Sequence, residues 1–208
     1  IVWEGQYRSL ILRGQITADG VTVSGQNNNT LYILADQPTY NRGWTVNSGV
    51  LEFQTPRGTG TGDATNIITL NGRDFGGGSG RGAYVNFNFA TQSSETFTIP
   101  MGKLVVNDSG EIRNTFGGQD DRSYKINNLE LNGTAPSTVG AVASGLVFFD
   151  LYNQRSRVEQ RFGNVNILRD YTAVVRMSDT GSNIDAGRNN QVVFESFTGT
   201  GRTLLKTD

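Results

Sequence analysis

The sequence predicts an all-β protein folded as a parallel β-helix, or β-solenoid, of roughly nine to ten coils. Short strand-like segments recur along the chain, and most of them end in or near Asn, Asp, Ser or Gly. No segment sustains a helical stripe of apolar residues over three turns. The 27 Gly residues, against only 4 Pro, suit a chain that turns many corners. Residues 1–208 are therefore interpreted as a single β-solenoid segment.

The recurring unit reads apolar–x–apolar, then Asn, Asp or Ser, then Gly. Its members occupy residues 21–25, 44–49, 68–72, 104–110, 129–133, 164–167 and 192–195, with residues 84–89 and 146–149 as further members. Their average spacing is roughly 21 residues, inside the range of about 20–50 that solenoid repeats show. Each unit is too short to bury its apolar residues alone, so we expect it to stack on the next.

Alternation within a unit predicts which side chains enter the core. Successive side chains of a strand face opposite sides, so Val21 and Val23 are expected to point inward and Thr22 outward. The Asn or Gly that follows suits a corner that needs a positive φ. A short strand followed by such a corner is what one side of a solenoid coil requires.

A β-sandwich is the alternative fold, because about nine short strands at even spacing also fit it. A sandwich needs hairpin turns between paired strands. The two Asn-Gly pairs, at residues 71–72 and 132–133, instead fall at similar points of similar units. This placement favours the solenoid over the sandwich.

Composition excludes several classes of function. The chain has no His and no Cys, which removes imidazole bases, thiolate nucleophiles, His or Cys metal ligands and disulfides. Its 18 basic and 19 acidic residues give a net charge of −1, which provides no long-range field to attract nucleic acid. No apolar run approaches the roughly 18 residues of a membrane span. We expect no cofactor, no nucleic-acid partner and no membrane span in this segment.

The clearest repeat resembles a known family. Tyr40, Gly43 and the Val-Asn-Ser-Gly-Val-Leu run at residues 46–51 resemble the passenger-associated repeat of autotransporter proteins. As in that family, a glycine-rich link at residues 60–63 leads to an Ile-Thr-Leu-Asn-Gly strand at residues 68–72.

The resemblance covers about residues 9–72 and returns at residues 197–207, which look like the lead-in to another repeat. The segment at residues 36–38, Asp-Gln-Pro, departs from the family because it replaces the usual Asn before the aromatic residue. The resemblance implies a right-handed parallel β-helix on a bacterial cell surface, excised from a longer repetitive protein. It implies no particular activity, since such passengers include adhesins, proteases, esterases and inert stalks.

Six residues are candidates for contact with a glycan or a protein partner. They are Trp3, Tyr84, Asp120, Asp121, Arg122 and Tyr152. The Asp pair is the only adjacent pair of carboxylates in the chain, and in a strand the two side chains would point to opposite faces. A glycosidase needs two carboxylates that flank one bond, so a solvated turn explains this pair more simply. We assign no catalytic, cofactor-binding or metal-binding residue.

The sequence favours a non-catalytic stalk or adhesin scaffold in an extracellular, cell-surface protein. One alternative is a self-assembling extracellular filament or sheath subunit. The other is a carbohydrate-binding or carbohydrate-cleaving β-helix of the tailspike type. The expected partners are neighbouring β-helix coils or identical subunits, and possible further partners are a host or matrix protein or a glycan.

Overall fold

The structure, a computed structural model, describes residues 1–4, 9–25, 29–72, 82–89, 96–115, 122–133, 145–152, 158–176 and 190–207. For residues 122, 145, 152, 176, 204, 206 and 207 it describes the backbone alone. These parts of the chain contain β-strands and no helix, so the prediction of an all-β protein is confirmed.

The strands fall into two series joined through β5. Series A contains β1 (Val2–Trp3), β3 (Gly20–Ser24), the first half of β5 (Gly43–Phe53), β6 (Ile67–Leu70), β8 (Thr96–Thr98), β9 (Lys103–Val106), β11 (Arg122–Leu131), β13 (Val158–Ile167) and β15 (Gln191–Gly199). Series B contains β2 (Leu10–Leu12), β4 (Thr30–Ile33), the second half of β5, β7 (Ala83–Phe87), β10 (Ser109–Thr115), β12 (Gly145–Tyr152), β14 (Tyr171–Arg176) and β16 (Thr203–Thr207). The chain alternates between the two series along almost its whole length.

Every pairing between these described strands is parallel. The only antiparallel contact among them is an isolated bridge between Gly72 and Ser109. Parallel pairing disagrees with the β-sandwich alternative, whose sheets are antiparallel. Parallel strands cannot be joined by tight hairpins, which is why the chain leaves one series for the other before it returns.

The register of series A confirms most of the predicted repeat. One column of residues directly opposite each other contains Val21, Trp44, Ile68, Leu104, Leu129, Val165 and Phe197. A second column, two residues further along, contains Val23, Val46, Leu70, Val106, Leu131, Ile167 and Gly199. Six of the predicted units therefore stack with their apolar positions aligned.

The other three units need correction. In residues 192–195, Val192 lies opposite Gln160 and Phe194 opposite Phe162, so this unit is displaced along the strand from the column that Phe197 continues. Residues 84–89 and 146–149 contribute to series B, in β7 and β12. The average spacing of roughly 21 residues was taken over units of both series. It is therefore shorter than the distance along the chain between successive strands of one series.

The alternation predicted for the first unit is confirmed. Val21 and Val23 are buried, whereas Thr22 between them is half-buried on the outer side. The inner column of series B contains Leu31, Leu51, Val85, Ile112, Phe149 and Val175, which join the inner residues of series A in one apolar core. Burying each large side chain of this kind stabilises the fold by about 1.5–3 kcal/mol.

Aromatic rings stack along this core from one strand to the next. The rings of Phe53 and Phe87, which lie opposite each other in β5 and β7, are nearly parallel with centroids 5.9 Å apart. Phe162 and Phe194 repeat this arrangement in β13 and β15 at 5.6 Å. Because the pairing is in register, similar side chains at corresponding positions are brought into direct contact.

Two glycines make corners that other residues would strain. Gly49 has a φ of 84° where β5 leaves series A and enters series B, as the sequence predicts for the end of that unit. The same prediction is wrong at Gly25, Gly72 and Gly110, which end other units without a positive φ. Gly60 has a φ of 114°, and a Cβ atom added there would collide with the carbonyl oxygen of Tyr40.

We expect Gly60→Ala to lower the free energy of unfolding by about 2 kcal/mol or more, because an L-residue is strained at this φ and its Cβ has no room. Gly62→Ala is the matched control, since a Cβ at Gly62 has open space around it. This control is expected to stay within about 0.5 kcal/mol of the wild type in urea unfolding. Equal stabilities of the two variants would contradict the role given to Gly60.

Candidate functional site

The structure places two of the predicted contact residues in different series and describes the other four only in part or not at all. Trp3 lies in β1, half-buried against the core, and Tyr84 lies almost fully buried in β7 of the other series. Arg122 begins β11 and Tyr152 ends β12, with only their backbones described. Asp120 and Asp121 lie outside the described residues. The described contacts join no two of these six residues.

The outer side of series A presents hydroxyl and amide groups. A column of outward residues contains Thr22, Thr45, Thr69, Val105, Glu130, Asn166 and Thr198. We call this column, together with the Asn residues described next, the hydroxyl–amide face. Most of its side chains are half-buried or exposed, and Val105 is buried. Its Glu130 accepts a hydrogen bond from Lys103 Nζ at 2.9 Å, so this carboxylate is paired.

A ladder of side-chain hydrogen bonds runs along one edge of this face. Asn71 Nδ2 donates to Asn47 Oδ1 at 3.0 Å, and Asn107 Nδ2 donates to Asn71 Oδ1 at 2.6 Å. Asn132 Nδ2 continues the ladder to Asn107 Oδ1 at 3.3 Å, and Asn47 Nδ2 ends it on Ser24 Oγ at 3.0 Å. Each of these Asn residues follows the last inner residue of its strand, so parallel stacking places the amides one above another.

The outer side of series B is buried and carries charge. Glu111 and Asp150 are 1% exposed, and the guanidinium of Arg113 contacts both, at 2.7 Å to Glu111 Oε1 and 2.7 Å to Asp150 Oδ2. The same guanidinium lies over the ring of Tyr84, 5.3 Å from its centroid. One arginine therefore holds two buried carboxylates and an aromatic ring, a group that we call the Arg113 cluster.

Two opposing effects, burial and nearby negative charge, set the pKa of Arg113. Burial alone would lower the pKa of the guanidinium, but the charges of Glu111 and Asp150 raise it above its ordinary value. Arg113 therefore stays protonated, and the cluster keeps its ion pairs. Such an arrangement holds neighbouring strands together, since Arg113 in β10 lies opposite Asp150 in β12.

A buried carboxylate with amide partners lies beside the Arg113 cluster. Glu52 Oε2 accepts a hydrogen bond from Asn86 Nδ2 at 2.9 Å, and Glu52 Oε1 accepts bonds from Asn88 Nδ2 at 2.9 Å and Gln54 Nε2 at 2.7 Å. Asn86 Oδ1 in turn accepts from Thr115 Oγ1 at 2.6 Å. The network joins β5, β7 and β10 across their outer side.

A third polar group lies on series A near its last strands. Glu159 is buried and accepts hydrogen bonds from Gln191 Nε2, Arg161 Nε and Ser123 Oγ. Burial alone would raise the pKa of Glu159, but these donors hold it below its ordinary value. Glu195 lies near this group and is paired with Lys125 at 2.6 Å.

The described residues include no group of three or more acidic side chains placed to hold a metal ion. Nor do they include a helix of the length and apolarity that crossing a membrane requires. A cavity of about 150 Å³ opens beside the last strands of the two series. Its lining is almost entirely apolar and includes Ile167, Phe194, Phe197 and Leu205.

Comparison with known proteins identifies no relative. No family model matches the sequence, and no curated protein or solved structure gives a significant match. The resemblance to autotransporter passengers therefore depends on the sequence motifs alone.

Sequence reasoning missed the Arg113 cluster and the use of the Asn residues as a ladder. The Asn positions carried a usable signal, because they recur at the same point of successive units. Arg113 and Asp150 carried none, since 37 residues separate them and only strand pairing brings them together.

We expect Asn107→Ala to lower the free energy of unfolding by about 1–3 kcal/mol, because it removes one ladder donor and one ladder acceptor. Urea unfolding measures the change. Thr45→Ala, on the same face but outside the ladder, is the control and should cost less than about 1 kcal/mol. Equal losses for the two variants would argue against the ladder as a stabilising element.

We expect Arg113→Met to destabilise the fold by about 3–5 kcal/mol, because it leaves buried carboxylates without their cation. Arg202 is the matched control: it also pairs with a carboxylate, Asp170, but its side chain is 88% exposed. Arg202→Met should leave the unfolding midpoint close to that of the wild type. A small effect of Arg113→Met would show that the cluster contributes little.

The lowered pKa of Glu159 predicts a defined acid sensitivity. Such a carboxyl stabilises the fold above its unfolded pKa, and this stabilisation disappears as pH falls through the folded pKa. We expect Glu159→Gln to be less stable than the wild type at neutral pH and to lose less stability on acidification. Thr45→Ala, which changes no titratable group, is the control and should keep the shape of the wild-type profile of unfolding midpoint against pH. Identical profiles for Glu159→Gln and the wild type would refute this prediction.

Proposed function

We propose that this chain is a non-catalytic structural or adhesive segment of a bacterial extracellular surface protein, built as a right-handed parallel β-solenoid. The observation that carries the proposal is the combination of a stacked parallel framework with a face of mainly uncharged hydrogen-bonding groups, on which Glu130 is paired with Lys103. The extracellular location and the bacterial source rest on the resemblance to autotransporter passengers.

The strand pattern supports a solenoid of about eight coils. Each series has eight successive levels among the described residues when β8 and β9, which both pair with β11, are taken as one level. The expectation of nine to ten coils arose because units of both series were counted together. Strands at about 4.8 Å spacing give a stack roughly 34 Å long. Right-handed coiling follows the strong preference of crossovers between parallel strands.

The different environments of the two outer sides support a contact function for the hydroxyl–amide face. The Arg113 cluster and Glu52 are buried and held by partners inside the protein. The hydroxyl–amide face instead offers Thr and Asn groups to the surroundings, on a sheet stiffened by the Asn ladder. Such groups suit hydrogen bonding to a neutral partner, such as a glycan or the polar surface of a matrix protein.

Binding to immobilised probes tests the adhesive function. The probes are an array of neutral and acidic oligosaccharides and surfaces coated with collagen or fibronectin. The triple substitution Thr22→Ala, Thr45→Ala, Thr69→Ala is expected to weaken binding to whichever probe is retained by about tenfold or more. Thr203→Ala, an exposed Thr of series B, is the control and should bind like the wild type. Wild-type binding by the triple variant, or no binding to any probe, would count against adhesion through this face.

A filament subunit is a second candidate function, favoured by exposed apolar side chains on the outermost described strands. β15 and β16 are outermost at one edge, where Phe197 is 58% exposed and Leu205 is 56% exposed. β1 and β2 are outermost at the opposite edge, where Val2 and Ile11 are exposed. An edge that no described strand covers can add a strand of another subunit. Head-to-tail addition would repeat without closing and would produce a fibre.

Sedimentation velocity across a concentration series tests this second candidate. Self-association is expected to grow with concentration in the wild type. Phe197→Asp at one edge and Ile11→Asp at the other should each abolish it, because a head-to-tail contact needs both edges. Leu168→Asp, at another exposed apolar residue, is the control. A monomer at every concentration would exclude the filament function and leave the adhesive proposal untouched.

A further inference from the structure

The dipeptide Asn-Gly occurs twice in the chain, at residues 71–72 and 132–133. This dipeptide is chemically unstable, because the Gly nitrogen can attack the side-chain carbonyl carbon of the preceding Asn with little steric hindrance. The attack requires the Gly N–H to be free and the Asn side chain to turn toward it. Asn71 and Asn132 both belong to the ladder. They differ in the hydrogen bonding of the following Gly N–H and in the number of ladder bonds that hold the Asn side chain.

At the first site, hydrogen bonds hold both Gly72 and the Asn71 side chain. Gly72 N donates to Ser109 O at 3.0 Å, and Gly72 O accepts from Ser109 N at 3.0 Å and from Ser109 Oγ at 2.7 Å. Asn71 is an interior member of the ladder, so its amide both donates and accepts. Before Gly72 N could attack Asn71, it would have to lose its hydrogen bond to Ser109 O, and the Asn71 side chain would have to lose its ladder bonds.

The second site, at Asn132 and Gly133, is as buried as the first but has fewer hydrogen bonds. Asn132 is the last Asn of the ladder, because the equivalent position on the next strand is Leu168, which cannot donate. Its only ladder bond is the donation to Asn107 at 3.3 Å, the longest in the ladder. The Gly133 N–H makes no hydrogen bond to another described residue. The attacking atom, Gly133 N, therefore lacks the hydrogen bond that Gly72 N makes, and the Asn132 side-chain amide has one ladder bond where Asn71 has two.

We propose that Asn132 is a site of spontaneous deamidation in the folded protein, whereas Asn71 is protected. Hydroxide removes the proton from Gly133 N, which bonds to Asn132 Cγ while the Cγ–Nδ2 bond breaks. Nδ2 takes up a proton and leaves as ammonia. Water then opens the cyclic imide at either carbonyl carbon and produces Asp or isoaspartate at residue 132. The reaction consumes one water, releases one ammonia and needs no oxidant or reductant.

The modification changes the end of the ladder. An Asp at residue 132 has no N–H to donate, so its carboxylate faces Asn107 Oδ1, acceptor against acceptor. Isoaspartate also lengthens the backbone by one carbon immediately after Leu131, which belongs to the inner column. Either product loosens the contact between β9 and β11 at this edge and adds a negative charge to a largely uncharged face.

Peptide mass spectrometry of the folded chain, incubated at mildly alkaline pH and sampled over time, tests the proposal. The measured quantity is the fraction of each Asn-Gly peptide in which the amide has become a carboxyl group. The same incubation in denaturant provides the intrinsic rate at each site. After division by that intrinsic rate, we expect Asn132 to react at least about tenfold faster than Asn71, because hydrogen bonds must open first at Asn71.

Gly133→Ala is the control variant, since a methyl group next to the attacking nitrogen hinders ring closure. Its circular dichroism should match the wild type while deamidation at Asn132 falls by a large factor. Equal normalised rates at Asn71 and Asn132, or faster reaction at Asn71, would overturn the proposal. Reaction at Asn132 that persists unchanged in Gly133→Ala would overturn the mechanism.

Discussion

Parallel pairing in register is the constraint on which the other features of this protein depend. It places each residue directly opposite its counterpart in the next strand, so that every position of a unit becomes a column. An apolar position becomes a core column, and an Asn position becomes a ladder of amides. A displacement of one residue would exchange the inner and outer sides of a strand, which would expose the core and bury the polar groups. The core and the ladder therefore stabilise the same register.

The outer sides of series A and series B differ in how their polar and charged groups are stabilised. Series A presents mainly hydroxyl and amide groups along the hydroxyl–amide face, whereas its last strands carry charged side chains around the buried Glu159. Series B buries charged groups, and a buried charge is tolerated only with partners close by. Arg113 meets this requirement for Glu111 and Asp150, and three amides meet it for Glu52. The hydroxyl–amide face is therefore suited to external contact, whereas the buried carboxylates of both series are committed to internal structure.

Local pattern predicted the inner and outer side chains of the first unit well, but it predicted corner geometry only in part, since Gly25, Gly72 and Gly110 lack the expected positive φ. The alternation of Val21, Thr22 and Val23 predicted inside and outside correctly, and the Gly at the end of the second unit, Gly49, has the predicted positive φ. Pattern failed in the unit at residues 192–195, because Val192, Phe194 and Phe197 offer two apolar registers of similar quality. The deciding contact is the stacking of Phe194 on Phe162, from a strand about thirty residues earlier.

The sequence by itself determined that the chain forms strands rather than helices, that short apolar units stack, and that no His or Cys chemistry is present. These properties depend on residue type and on spacings within a few residues. Only the tertiary structure decided that the units divide between two series, that the Asn residues share hydrogen bonds, and that Arg113 neutralises two carboxylates. The physical reason is distance along the chain: these contacts join residues more than twenty positions apart, and only strand pairing brings such residues together.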